Sequence, residues 1–343
     1  MKKKFVIILS LLASGSLSAQ PDTVEIATLP ALEKRMTALE KITSKLPKIS
    51  GFINVRYQYS TENGNANGFD IRRARLDFKG DMAAKLDYRF QAEFAGTPKI
   101  LDAYIRYRID RRFNLQIGEF KIPFSIENAY APSTLETADN SMAISRLCNY
   151  ADISGIAANG RDIGMMFYGG FLKKNGYNLV DYAVGIFNGN GINIKDNNKS
   201  KDFSGRLTIN PLRFLSFAGS YYNGRYGKEG ETHGRMRVGV GAKWEDSRLL
   251  LRSEYIYGKT GGVESDGVYA VAGYFIRPKF QPVLKYDYFL QDKSDSSTAE
   301  NDYSIGLNYY PIKALRLQAN YTCKKPAARK SIHLLALQFF AIF

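Results

Sequence analysis

Apolar and polar side chains alternate along most of the chain. The alternation is clearest from Phe69 to Phe94, where one face of each half is apolar and the other carries Arg73, Arg75 and Arg89 among carboxylates. Side chains on a β-strand point to opposite faces with a period of two, so this stretch predicts a hairpin that turns at Gly80–Lys85. A face this rich in arginine is unusual for a sheet that only covers a core. The pattern favours the wall of a barrel with lipid outside and water inside.

Similar alternation predicts strands along the rest of the chain. Beside the two strands of this hairpin, the predicted strands are residues 51–60, 100–109, 113–120, 161–168, 177–187, 202–210, 213–223, 235–244, 248–258, 267–276, 279–290, 301–310, 313–323 and 331–343. Tight turns alternate with longer polar loops at residues 188–200, 224–234, 259–266 and 291–300. Short turns at one rim, long loops at the other and an even number of about sixteen strands are typical of bacterial outer-membrane barrels. The sequence therefore predicts an all-β fold, a transmembrane antiparallel β-barrel with both chain ends on the periplasmic side.

Residues 121–160 interrupt the alternation after the fifth predicted strand. The stretch is rich in Ala, Ser and Asn, and it contains Pro123 and Pro132. Loops this long inside a compact fold are uncommon and usually carry function. We therefore expect residues 121–160 to form a functional loop.

The N-terminus has the pattern of a secretory signal. Lys2–Lys4 form a basic region, Phe5 to Ala13 an apolar region, and Leu17 to Ala19 a cleavage site with small residues. Residues 1–19 are therefore predicted to be cleaved off. The apolar run is too short to span a bilayer, and no later run is long enough for a transmembrane helix. A location in the membrane would therefore depend on the barrel.

Residues 20–48 are predicted to be a separate periplasmic segment. Apolar residues from Leu29 to Leu46 recur at heptad spacing, and Pro47 ends the pattern. Fewer than three heptads do not hold as an isolated helix in water. The segment is either a short coiled coil that joins protomers, or a single amphipathic or mobile segment at the base of the barrel. Residues 49–343 then form the barrel itself.

Charge and aromatic content agree with a barrel that carries anions. The chain has 48 Lys and Arg against 33 Asp and Glu, a net charge of +15, and 23 Tyr and 21 Phe against one Trp. Tyr and Phe suit strands and the aromatic belts of a membrane barrel. A positive charge also attracts nucleic acid, but an exported chain without a basic low-complexity arm makes that partner unlikely. We expect small anions and outer-membrane lipid as partners.

Most arginines at strand spacing lie on the polar face, which is the lumen of the predicted barrel. Those on the first four strands are Arg56, Arg73, Arg75, Arg89, Arg106 and Arg108. Further inward or loop cations are Lys121, Arg146, Arg161, Arg206, Arg235, Arg237 and Arg252. The same face carries the carboxylates Asp77, Asp87, Glu93, Asp102, Glu254 and Asp287. The cations therefore form either a path for anions or an ion-pair lattice that stiffens the wall.

Cysteine and histidine contribute no predicted site. Cys148 falls in the irregular stretch and Cys323 on the apolar face, so we expect two unpaired thiols. No cluster has metal-ligand spacing, and neither His233 nor His333 lies in a catalytic motif. The sequence predicts no cofactor, no metal and no enzymatic activity.

Several short runs resemble the phosphate-selective porin O/P family. They are RRARL at residues 72–76, LDAYI at 101–105, IGEFKIPFSIE at 117–127, GRDIGMMFYG at 160–169 and GIFNGNGIN at 185–193. The resemblance implies a sixteen-stranded trimeric barrel and a loop after the fifth strand that folds inward and narrows the pore. It also implies a ladder of lumen arginines, which Arg72, Arg73 and Arg75 match. By parity Arg72 lies opposite to Arg73, at the outer rim or at a β-bulge.

The C-terminus resembles the signal that outer-membrane assembly machinery reads. The last strand is amphipathic and ends on Phe343. Together these observations predict an outer-membrane porin of a Gram-negative bacterium that passes small anions, phosphate or polyphosphate among them, through an arginine-lined pore. The alternatives are a non-specific or sugar-permeable porin of the same fold, an outer-membrane barrel enzyme, and a soluble β-sandwich adhesin.

Overall fold

Sixteen antiparallel strands form one closed barrel. The computed structural model describes residues 34–37, 46–62 and 66–343. The strands are β1 Lys48–Ser60, β2 Asn67–Ala83, β3 Leu86–Glu93, β4 Lys99–Arg108, β5 Asn114–Lys121, β6 Arg161–Lys174, β7 Tyr177–Phe187, β8 Asp202–Leu212, β9 Leu215–Tyr226, β10 His233–Glu245, β11 Leu249–Thr260, β12 Val263–Tyr274, β13 Phe280–Leu290, β14 Ala299–Ile312, β15 Leu315–Pro326 and β16 Ile332–Ile342. Each strand pairs with the next, and β1 pairs with β16. The predicted fold and strand number are confirmed.

Helical structure is sparse in the described part of the chain. A loop helix, Met142–Leu147, lies between β5 and β6, with short 3-10 turns at Glu127–Ala129 and Ser296–Thr298. Residues 34–37 are also helical, as predicted. The predicted signal (residues 1–19) and most of the predicted 28–47 helix lie outside the described residues. No helix among the described residues is long and apolar enough to cross a membrane.

Side chains at alternate positions of a strand face different environments. On β1 the side chains of Ile53 and Val55 are exposed on the outside, whereas Asn54 between them is fully buried in the interior. The same holds on β11, where Leu251 is exposed and Arg252 is buried. The outward surface is thus an apolar band suited to lipid, and the interior is polar.

A β-bulge places Arg72 on the same face as Arg73, although simple alternation would put the two on opposite faces. The register of β1 against β2 shifts between Asn54 and Val55, which pair with Arg73 and Ile71 and leave Arg72 without a partner on β1. An extra residue in one strand reverses the parity beyond it. Arg72 therefore points inward like Arg73, and it forms an ion pair with Asp139 of the loop between β5 and β6.

Some strands are longer than the sequence pattern indicated. The polar segment 259–266 was expected to be a long loop, but β11 and β12 continue to a two-residue turn at Gly261–Gly262. Both glycines have positive φ, 58° and 99°, as a tight hairpin turn of the type I′ class requires. The residues on both faces of this hairpin end are mostly polar, so the alternation of apolar and polar residues that marks the other strands is absent there. β6 likewise continues to Lys174, beyond the predicted end at residue 168.

The last residue closes the barrel. The Gly51 amide donates to the Phe343 carbonyl at 2.8 Å, and the Phe343 amide donates to the Gly51 carbonyl at 3.0 Å. A Cβ at position 51 would lie 2.3 Å from the Arg75 carbonyl oxygen and 2.8 Å from the Phe343 ring. Only glycine allows β1 to approach both β2 and Phe343 this closely.

We therefore predict that Gly51→Val impairs closure of the barrel. Overpacking of this kind costs about 1–3 kcal/mol, so a smaller fraction of the protein should reach the heat-modifiable folded form seen by gel mobility. Gly68→Val is the matched control, because a Cβ there meets nothing within 4 Å. Equal folded fractions for the two variants would contradict this role of Gly51.

Candidate functional site

The loop between β5 and β6 (residues 122–160, called the inner loop below) crosses the lumen to the opposite wall. Its first anchor is Glu254 on β11. That carboxylate accepts hydrogen bonds from the Ser125 hydroxyl at 2.9 Å, the Ile126 amide at 2.7 Å and the Glu127 amide at 3.0 Å. Tyr269 of β12 donates a further bond at 2.6 Å. Hydrogen bonds to a charged acceptor are stronger than neutral ones, so this carboxylate fixes the start of the loop.

A second group of anchors lies on β13 and β15. The Asp287 carboxylate accepts from the Met142 amide at 2.8 Å, at the first turn of the loop helix. Arg316 and Gln318 donate to the Leu135 carbonyl at 2.8 and 3.4 Å. The inner loop is therefore held along its length by polar groups that face the interior from strands β11 to β15.

Three inward arginines are engaged by these contacts. Arg252 pairs with Glu136 at 2.8 Å, and Arg237 pairs with Asp152 at 3.1 Å. Arg235 pairs with Asp202 at 2.9 Å and also donates to the Asn149 side chain of the loop at 3.1 Å. Each guanidinium is almost fully buried. These arginines hold the inner loop in place and are closed off from the open lumen.

Most of the candidate cations on strands β1 to β6 lie in an ion-pair lattice. Six of the nine have a carboxylate partner: Arg56 with Asp70 at 2.5 Å, Arg75 with Glu93 at 2.7 Å, Arg89 with Asp77 at 2.6 Å, Arg106 with Asp87 at 2.9 Å, Arg108 with Asp87 at 3.0 Å, and Arg161 with Asp102 at 2.8 Å. The lattice fixes the guanidinium groups in direction, and it neutralises much of their charge.

Three candidate cations lack such a partner. Arg73, Lys121 and Arg146 have no carboxylate within ion-pair distance among the described residues. The Lys121 ammonium donates instead to the carbonyls of Asn128 and Tyr130, at 2.6 and 2.5 Å. These carbonyl partners are neutral, so no carboxylate offsets the charge of Lys121.

Among the described residues, three chambers in the lumen border the inner loop. The outer chamber, about 550 Å³, lies toward the rim of long loops and includes Arg73 and Arg146. The inner chamber, about 430 Å³, lies toward the rim of tight turns and includes Arg111 and Arg206. The middle chamber between them is the smallest, at about 180 Å³. Lys121 lines both the middle and inner chambers.

Among the lining residues, cations outnumber carboxylates by the widest margin in the middle chamber. Its charged lining comprises Arg75, Arg89, Lys121 and Arg161 against the single carboxylate of Asp102, although Arg75 and Arg89 also pair with Glu93 and Asp77 of the wall. Apolar groups, among them Phe52, Phe120 and Pro132, form the rest of its wall with the polar residues Gln91, Tyr104 and Gln116. An anion in this space would meet several donors within a small volume.

Comparison with known families agrees with this geometry. A model of the family described as phosphate-selective porin O and P matches residues 48–230 and 215–333. The chain belongs to this family. Membership and the sixteen-stranded barrel place the porin in the outer membrane of a Gram-negative bacterium and point to a channel rather than an enzyme. The search of curated proteins gave no match.

Several solved porins share the fold. The anion-selective porin from Comamonas acidovorans superposes with a TM-score of 0.69 at 14% identity, over 87% of this chain and 99% of its own. The outer membrane channel DcaP of Acinetobacter baumannii gives 0.63 at 13% identity, over 87% and 97%. The trimer form of OmpT from Vibrio cholerae gives 0.62 at 11% identity, over 87% and 99%. At these identities the likeness concerns the fold alone.

The structure brings together part of the set of lumen cations predicted from sequence. Arg75, Arg89, Lys121 and Arg161 converge on the middle chamber, and Arg56, Arg73 and Arg146 line the outer one. Arg106 and Arg108 pair with Asp87 instead and line neither of these two chambers. Sequence reasoning missed Arg316 and Gln318, although their inward parity on β15 is a signal that could have identified them. Both cysteines are unpaired, as expected.

Removing the Glu254 carboxylate should release the inner loop. Glu254→Ala leaves the Ile126 and Glu127 amides without an acceptor, and each orphaned buried donor costs about 1–3 kcal/mol. We expect a higher and noisier single-channel conductance in planar bilayers. Glu264→Ala is the control, because that exposed side chain pairs with Lys259 on the outside of the barrel. A conductance unchanged from that of the control would contradict the anchoring role.

The Cys148 thiol reports independently on the inner loop. It is fully buried, and burial raises the pKa of the Cys148 thiol, which keeps it in the unreactive protonated form. In a Cys323→Ser background at pH 8, we expect much slower labelling by a thiol reagent in the folded barrel than in denaturant. Glu254→Ala should accelerate the labelling. Equal rates in the folded and denatured protein would contradict the loop position.

Proposed function

We propose that this porin passes small anions by diffusion through the three chambers, with the middle chamber setting selectivity. The observation that carries the proposal is the lining of that chamber, where four cationic side chains and one carboxylate face the lumen. Two of the four also pair with Glu93 and Asp77 of the wall, and Lys121 has no carboxylate partner among the described residues, which leaves a positive excess. A narrow space with low-dielectric walls strengthens the field of such groups. Cations would be repelled there, and anions concentrated.

The chambers supply a sequence of binding groups. An anion entering from the rim of long loops would meet Arg73 and Arg146, then Arg75, Arg161 and Lys121, and then Arg206 and Arg111. Guanidinium groups stay charged and offer planar donor pairs to oxyanions, which exchange water for charge-assisted hydrogen bonds. Conduction requires attraction divided over several sites so that the ion can leave again. Small oxyanions, phosphate among them, fit this set of donors.

A sugar-permeable pore is the weaker alternative. The charged groups of the middle chamber would contribute little to the binding of a neutral sugar, because they would bind water instead.

We also assign no catalytic role to His233 or His333. His333 lies on the outward face and contacts the Tyr321 hydroxyl at 2.7 Å, so it does not reach the lumen.

The assembled form follows from the same reasoning. We infer that the barrel is embedded in outer-membrane lipid, because exposed apolar side chains surround it. We also infer a homotrimer, because the OmpT structure of the same fold is a trimer. Export would use the cleaved signal of residues 1–19. Insertion would use the barrel assembly machinery, which would read the last strand and Phe343.

The zero-current potential in a potassium chloride gradient tests the selectivity. We expect an anion-selective potential for the wild type. Arg73→Gln combined with Lys121→Met should move it toward zero, because both groups lack a carboxylate partner. Phosphate should reduce the chloride current at concentrations far below that of chloride if the chambers bind oxyanions.

Arg112→Gln is the matched control for these substitutions. Arg112 is exposed at a tight turn and pairs with Asp110 at 3.1 Å, so its removal should leave the potential unchanged. A cation-selective wild type would overturn the proposed function. An equal shift in the control would overturn the assignment to Arg73 and Lys121.

A further inference from the structure

The outer chamber differs in character from the other two chambers. Its wall residues come from six neighbouring strands, in the spatial order β2, β1, β16, β15, β14 and β13. Basic and acidic side chains are almost equal in number there, but they are not mixed evenly. The arginines lie at one end of this arc of strands and the wall carboxylates at the other.

The arginine end is formed by β1 and β2. Arg56 pairs with Asp70, and Arg72 pairs with Asp139 of the inner loop. Arg73 beside them has no carboxylate partner among the described residues, and the buried Nη1 of Arg72 makes no hydrogen bond. Glu62 also lines the chamber just after β1, and it is 3.9 Å from Arg329. With both groups counted, this end of the arc presents unused donors and a net positive charge.

The carboxylate end is formed by β13, β14 and β15. Asp287, Glu300 and Asp302 line it together with Lys285 and Lys324. Lys285 pairs with Asp287 at 3.2 Å, while Lys324 is 3.6 Å from Glu300 and 3.5 Å from Asp302, so three carboxylates share two ammonium groups. This end has a net negative charge.

Several buried atoms at the carboxylate end have no hydrogen-bond partner. They are one oxygen each of Asp287 and Asp302 and both polar atoms of the Asn320 side chain, in residues 1%, 5% and 3% exposed. Buried polar groups in folded proteins are nearly always hydrogen-bonded. Three of these four atoms are oxygen acceptors, and the fourth, Asn320 Nδ2, is a donor. Three acceptors gathered on one side of a chamber indicate a site for a donor such as an ammonium group.

An apolar strip separates the two ends. The inward residues of β16 at this level are Ile332, Leu334 and Ala336, and all three line the chamber. Aliphatic side chains facing a polar lumen gain nothing from water. They would gain from contact with an aliphatic group of a solute.

We propose that the outer chamber is a binding site for short zwitterionic peptides, lying lengthwise from β15 and β14 to β1 and β2. The peptide ammonium would donate to Asp302 and Asn320, the carboxylate would accept from Arg72 and Arg73, and an aliphatic side chain would lie on Leu334 and Ala336. The chamber volume of about 550 Å³ is within the range of small-molecule sites.

The length of the site selects among zwitterions. Neighbouring strands are about 4.8 Å apart, so β2, which carries Arg72 and Arg73, lies roughly 14 Å from β15 and 19 Å from β14 along the wall. An extended chain advances by about 3.3–3.6 Å per residue, so two or three residues span the gap once the side chains reach inward. A free amino acid, with its two charges on one carbon, is too short to reach both ends.

The peptide site rests on the proposed function only because it requires an open lumen. Block of the current by modified peptides tests the peptide site separately. Alanyl-leucyl-alanine would be added at the long-loop side of the wild-type channel in a planar bilayer. We expect block by this peptide at a concentration at least ten-fold below that required of its N-acetylated or C-amidated form. These probes need no variant, so a folding defect cannot affect them.

Two variants assign the ends of the site. In Asp302→Asn, the free peptide should block the current no better than the acetylated one. In Arg73→Gln, the free peptide should block no better than the amidated one. Glu229→Gln is the control, because Glu229 pairs with Lys199 on an exposed loop. Equal block by the free and acetylated peptides would overturn the peptide site and leave anion selectivity standing. A cation-selective zero-current potential would instead overturn the proposed function.

Discussion

Every charge on the inner wall of this barrel must be paired or left to the water and solutes of the lumen. Strand geometry fixes the direction of each inward side chain, and desolvation makes an unpaired buried charge costly. The inner loop decides between these two fates. Where it lies against the wall, Arg235, Arg237 and Arg252 are covered and paired. Where it leaves space, Arg73 lines the outer chamber without a carboxylate partner in the described part of the chain. Lys121 lines the middle chamber without one, and among the described groups only carbonyls of the loop accept its hydrogen bonds.

The same constraint explains how charge varies along the lumen. The outer chamber keeps nearly equal numbers of basic and acidic groups, separated onto two sides of an arc of strands. In the middle chamber, the loop residues contribute carbon atoms and carbonyls while the wall contributes guanidinium groups, so cationic charge prevails. An outer chamber that binds solutes by their dipole and a middle chamber that selects by sign would together favour anions and zwitterions over cations.

Much of the fold could be predicted from the sequence because lipid imposes a period of two on every spanning strand. The strand number, the inward parity of Arg56 to Arg108 and the position of the long loop all follow from that period. The pairing of these arginines could not be predicted, because it depends on contacts across strands and with a loop that has no periodic pattern. A bulge at Arg72 and a glycine turn at Gly261–Gly262 break the period locally. Alternation therefore left two positions open for Arg72, and it predicted a loop at residues 259–266 where the strands continue.

The division between covered and open cations is tested most directly by locating anions in the lumen. Crystals of the wild-type porin soaked in bromide would reveal bound ions by anomalous diffraction. The account predicts peaks beside Arg73 and in the middle chamber beside Lys121, and none beside Arg237 or Arg252. Bromide bound at the loop-anchoring arginines, or a lumen without any bound anion, would contradict it.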